Sequence, residues 1–220
     1  MRVSPRVAGL CGLLAPPLGW AFIAASIAAN PWFRWRDHAL SHLGSPAGSV
    51  PALFNAGLVL TGGLGLVMVA GLGGLATDLR GRAGRALLAV ALASLIGVGI
   101  FPWPHLPGLT PGEVPEFTPQ AVAHTATAAT FFLLIPISLI LAGRSEALRG
   151  EPLGRAVLSL GIGSLAVVLA FPVFVVGAAS FEGVAIPEAL AAGFMSAASI
   201  LFGRRLLRGD FPGASASSPA

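Results

Sequence analysis

Four side chains able to do chemistry fall within six residues: Asp37, His38, Ser41 and His42, in the stretch Arg34-Trp-Arg-Asp-His-Ala-Leu-Ser-His-Leu-Gly44. If this stretch is helical, His38 and His42 lie one turn apart on a common face, with Ser41 beside them. Two imidazoles so spaced suit one metal ion, although the glutamate of a zinc-protease helix is missing after His38. A third imidazole, His124, stands in the apolar run Gln-Ala-Val-Ala-His-Thr-Ala-Thr. Small neighbours, Thr125, Thr127 and Ala128, leave room for an incoming group there. His105, Asn55 and Glu188 complete the polar set at the same expected depth.

Three arrangements are open to these residues. His38, His42 and His124 could ligate a divalent metal such as zinc, with Ser41 or Asp37 in support. Without metal, Asp37 could orient a histidine that activates Ser41 or handles protons. Alternatively, the polar groups form a hydrogen-bonded network that pins the segment around residues 37–42 onto the helix carrying His124.

Positioning falls to helices in a membrane. The 220 residues are 55% hydrophobic and 10% charged, with mean hydropathy +0.84, against roughly 25% charged in soluble domains. Six apolar runs, about residues 7–29, 52–75, 86–101, 120–142, 156–179 and 186–203, are each long enough or nearly so to cross a bilayer. The first exceeds the usual ~7–15 residue core of a signal peptide and reads as a retained span, with cleavage after Ala29 as the alternative. The expected fold is all-α, one six-span domain over residues 1–208. Residues 209–220 form a polar tail too poor in apolar groups to pack.

Charge sets the orientation. There is no lysine, and eleven of thirteen arginines fall on one side of the six runs; Arg34 and Arg36 oppose them. The positive-inside rule places both termini in the cytoplasm, in the cell (inner) membrane, and the histidines at the outer boundary. Trp32, Trp35 and Trp103 lie at outer span ends, as an interfacial aromatic belt requires. These arginines meet anionic lipid headgroups, and nucleic acid is not an expected partner. Cys11, alone in the first span, permits no intrachain disulfide. Phosphate-cradling, dinucleotide and haem motifs are absent.

Residues 84–102, GRALLAVALASLIGVGIFP, and 154–172, GRAVLSLGIGSLAVVLAFP, are identical at nine of nineteen positions, Ser94 and Ser164 among them. This predicts duplicated parallel hairpins in spans three–four and five–six, an arrangement some transporters use. Small residues at four-residue spacing, Gly57-Thr61-Gly65 and Ala189-Gly193-Ala197, read as helix-packing faces.

Asp37-His-Ala-Leu-Ser-His-Leu-Gly44, Leu53-Phe-Asn-Ala-Gly-Leu58, Gly99-Ile-Phe-Pro102 and His124 together resemble the bacterial and archaeal six-span membrane family catalogued as domain of unknown function 998. The resemblance is clear over spans one to four and rests on hydropathy beyond them. It carries Ser41, Asn55 and His124 as the positions that match. Family members often have an acid at the position of His42 and after the Phe-Pro, where this chain has Trp103-Pro104. That departure weakens a metal role for His42. The resemblance implies no activity. A fainter likeness, of residue types only, is to alkaline ceramidases, membrane hydrolases with Ser, Asp and His at a membrane boundary.

Two functions follow from the residues. One is a metal-dependent, lipid-active hydrolase at the outer boundary. The other is a non-enzymatic membrane protein that binds a lipid or a partner, or transports a small solute; the parallel repeat and the prolines within spans (Pro16, Pro17, Pro136 and Pro172) favour it mildly.

Overall fold

The computed structural model describes residues 3–104, 118–177 and 183–209. His105, the loop glutamates Glu113, Glu116 and Glu182, and the tail from residue 210 lie outside them. Among the described residues the long elements are all helices: α1 Pro5–Ala28, α2 Pro51–Gly71, α3 Leu79–Ile100, α4 Pro119–Gly143, α5 Pro152–Gly177 and α6 Ala185–Arg208. Short 3-10 turns, Leu40–Gly44, Leu72–Leu75 and Glu146–Leu148, join some of them.

All six helices are long and apolar enough to cross a membrane. At most 39% of the most apolar window of any span is buried inside the bundle. Large apolar side chains such as Leu14, Leu60, Val90, Leu133 and Leu169 therefore point outward. Water would penalise that surface; acyl chains do not. The protein is an integral membrane protein.

Helix starts follow backbone chemistry more than hydropathy. Proline stands in the first turn of α1, α2 and α4, where its missing N–H costs nothing. Thr118 caps α4 through Ala121 N. Asp78 caps α3, its Oδ1 accepting the Gly81 N–H at 2.8 Å. The third helix thus begins at Leu79, not near residue 86 as the apolar run suggests. Arginine is a good helix former, so Arg80, Arg82 and Arg85 sit on an extra turn that hydropathy alone does not register.

Each helix packs on its neighbours in sequence, and α6 returns to α1, so the bundle is a closed up-and-down ring. Glycine makes the closure. A side chain at Gly203 would meet the Gly9 carbonyl oxygen at 2.8 Å, and Ser199 Oγ donates to the Gly12 carbonyl at 2.8 Å. The main core, with Phe202, Leu88, Leu139 and Met68 fully enclosed, fills the half of the ring nearer the arginines.

The small-residue stripes divide. Gly57 and Gly65 press against Phe22 and Leu92, as packing glycines do. Gly193 has open space where a Cβ would be. The buried face of α6 runs instead through Ala191, Met195, Ala198 and Phe202. The two aligned serines also differ: Ser94 Oγ donates to Val90 O, while Ser164 is buried without a hydrogen bond among the described residues.

Candidate functional site

The segment between α1 and α2 closes one end of the ring. Asn30, 1% exposed, anchors its start: Nδ2 donates to Ser26 O at 2.7 Å, and Oδ1 accepts from Ser49 N at 2.7 Å. One buried amide thereby ties both ends of a twenty-residue excursion. Asn55 Nδ2 donates to Gly44 O at 3.0 Å, holding the 3-10 turn on α2. Ala185 N donates to His38 O at 3.0 Å, and Leu40 N donates to Glu188 Oε2 at 2.7 Å, fixing the segment on α6. Leu40, Leu43, Phe33 and Phe54 form a small apolar core beneath it. The expected pinning network exists, but its anchors are α1, α2 and α6, not the helix that carries His124.

The stretch is not one helix. A turn covers residues 35–37, and the 3-10 turn begins only at Leu40. His38 and His42 rings still approach, with centroids 5.8 Å apart and planes at 73°. Trp32 meets His38 edge-on at 5.1 Å. Each of the two imidazoles accepts a backbone N–H on Nδ1: His38 from Arg34 at 2.9 Å, and His42 from Ala39 at 3.3 Å. A neutral ring that accepts on Nδ1 carries its proton on Nε2 and is a donor there. Burial, then the nearby imidazoles of His38 and His124, pushes His42 down to about 4.

His124 has the opposite polarity. Its Nδ1 lies 2.7 Å from the Phe101 carbonyl oxygen, which can only accept. Nδ1 therefore holds the proton, and Nε2 of the neutral ring presents a lone pair. Trp103 packs against the ring at 5.5 Å.

This difference does not favour the expected metal triad. A metal takes an unprotonated ring nitrogen; at His38 and His42 that nitrogen is already bonded to the backbone. Among the described residues no group of three or more His, Cys, Asp or Glu is placed to hold a metal ion. Asp37 stands apart. Its side chain is exposed, makes no hydrogen bond among the described residues, and lies outside the cavity described next.

Beneath the closing segment is a cavity with about 120 Å³ open to the centre of a water molecule. One water needs roughly 10–15 Å³ and takes up about 30 Å³ in the liquid, so the cavity admits several water-sized groups. Its walls are α1, α2, α3, α4 and α6, and its roof is Leu40 and Ser41; no described side chain of α5 lines it. The lining is mostly carbon, from Ile23, Phe54, Leu92, Phe131 and Met195 among others. Ser41, His124 and Glu188 line it at the roofed end. The Ser41 hydroxyl makes no hydrogen bond among the described residues. Further down, the lining includes Thr61, whose buried hydroxyl has no partner among the described residues, and Ser196, which accepts from Trp20 Nε1 at 3.1 Å.

Of the sequence candidates, then, Ser41, His124 and Glu188 share one cavity, His38 and His42 lie in the segment that closes it, Asn55 ties that segment to α2, and Asp37 is exposed. Asn30, Thr61 and Trp20 were missed. Asn30 carried a legible signal, since an amide directly after an apolar run and before proline must find partners when buried. Thr61 and Trp20 carried none, because hydroxyls and indoles also occur at ordinary helix contacts.

Neither a curated protein nor a solved structure matches the chain. A family model does, over residues 13–205, from the first span to the last. The chain belongs to the family of proteins of unknown function called DUF998.

Proposed function

We propose that the protein binds an amphiphile with a single hydrocarbon chain inside its bundle, the chain against the apolar walls and the polar end at Ser41, His124 and Glu188. One observation carries this: an apolar cavity in a membrane protein with Ser41, His124 and Glu188 together in its lining. Pockets for small molecules have this composition, mostly apolar with a few convergent polar groups. The arginine distribution supports an orientation with both termini in the cytoplasm and the roof outside.

Mass spectrometry of amphiphiles that copurify with the protein tests this. Ala128 lines the cavity, and Ala128→Phe should fill it. About one bound amphiphile per protein is expected, lost in Ala128→Phe. An identical lipid profile for both proteins would refute the reading.

A second reading, hydrolysis of the bound amphiphile, is favoured by the Ser41 hydroxyl and the unprotonated His124 Nε2 lining the same cavity. Ser41 Oγ would attack an ester carbonyl while His124 takes its proton. The proton would pass to the leaving alcohol, and water would release the acyl group from Ser41. Ser41→Ala and His124→Ala should each lower ester turnover by about 10²-fold or more, and chelators should not. Absence of turnover above background would leave binding alone.

A further inference from the structure

At the opposite end of the bundle, four arginines border one concavity whose wall is mostly carbon: Arg80 in the first turn of α3, Arg144 after α4, Arg149 before α5, and Arg155 in the first turn of α5. Some 340 Å³ is open there to the centre of a water molecule. Among the described residues no carboxylate lines it.

The nearest acids are otherwise engaged. Asp78 accepts Gly81 N and Glu146 N; the Gly81 bond first, then, against burial, the Glu146 bond and the nearby charge of Arg80 hold its carboxyl below the usual carboxylate range. Glu151 pairs with Arg205 at 2.9 Å. Glu146 is exposed and does not line the concavity.

The guanidinium groups of Arg144 and Arg149 make no hydrogen bond or ion pair among the described residues; Arg80 makes no hydrogen bond there, and its charge acts on the Asp78 carboxylate. Arg155 spends one nitrogen on the Gly150 carbonyl at 3.1 Å. Gly150 adopts a left-handed backbone, φ 78°, that turns the chain between Arg149 and α5. Four arginines bordering one hollow make a local positive field that favours an anion there. Each offers up to five N–H donors in a fork that matches two oxygens of a phosphate.

We propose that this concavity is a binding site for a phosphate group, carried either by an anionic lipid headgroup or by a soluble phosphate compound. It lies where the helices end, at headgroup depth, and basic pockets between span ends suit such groups. The site does not depend on what fills the central cavity.

Full-length protein in phosphatidylcholine nanodiscs tests this with two probes: phosphatidate added to the bilayer and counted by native mass spectrometry, and inorganic pyrophosphate titrated by calorimetry. The variants are Arg144→Gln/Arg149→Gln in the concavity and Arg82→Gln/Arg204→Gln outside it, which remove equal charge. Saturable uptake of about one phosphate group is expected. It should weaken at least 10-fold in the first pair and less than 2-fold in the second. Saturation by pyrophosphate would identify a soluble ligand; saturation by phosphatidate alone would identify a lipid. Should the first pair not fold, Arg144→Lys/Arg149→Lys keeps the charge and loses the forked geometry, and at least 3-fold weakening is expected. Equal losses in pocket and control variants, or saturation by neither probe, would overturn the proposal.

Discussion

The two ends of the bundle handle polarity in opposite ways. At the histidine end His42, His124 and Asn30 are buried, and each is bonded to backbone that no helix or strand ladder satisfies. At the arginine end the charged groups of the concavity are exposed and mostly uncommitted. A buried polar group must be bonded, or it costs ~1–3 kcal/mol; an exposed charge needs nothing from its neighbours. Geometry at the histidine end is therefore specified by hydrogen bonds. The arginine end is specified mainly by charge.

The largest expected effect separating the ends is that of pH. His42 sits at about 4 in the folded protein, below its ordinary 6.5. Between these values an opened roof binds a proton that the closed roof does not. Roof stability is complete above pH 6.5, declines as pH falls through the window, and levels off below about pH 4. The loss is on the order of 3 kcal/mol at ~1.4 kcal/mol per unit. Hydrogen exchange should show residues 39–49 losing protection on acidification, with residues 144–151 unchanged. Parallel loss at both ends would erase the distinction.

Next come single bonds of the roof. Glu188→Ala strands the Leu40 N–H and Asn30→Ala strands the Ser49 N–H, each costing about 1–3 kcal/mol in thermal unfolding. Glu188→Gln keeps an acceptor and should cost less. The Arg205–Glu151 pair, with side chains 20% and 36% exposed, should contribute only ~0.2–1 kcal/mol, read as a double-mutant cycle. Smallest is Arg82→Gln or Arg204→Gln, within about 0.5 kcal/mol.

The same contrast explains what the sequence could reveal. Six spans were legible because a bilayer demands long apolar helices and tolerates little else. The start of α3 was not, since Asp78 caps a turn whose arginines interrupt the apolar pattern. At the candidate site, residue types pointed to Ser41, His124 and Glu188, but not to the backbone bonds that His38 and His42 make. Whether an imidazole is donor or acceptor depends on which backbone group reaches Nδ1. For His38 and His42 that was decided by a turn and a 3-10 segment, where a helix was the premise. Spacing of residues cannot encode such tautomers. Nor can it show that Asp37, two places from Ala39, points the other way.

Nitrogen-15 NMR of the imidazoles at neutral pH examines that polarity directly. Signals assigned by His38→Ala, His42→Ala and His124→Ala should place the proton on Nδ1 for His124 and on Nε2 for His38 and His42. One shared tautomer for all three, or Nε2 of His124 found protonated, would remove the base from the cavity and contradict the account.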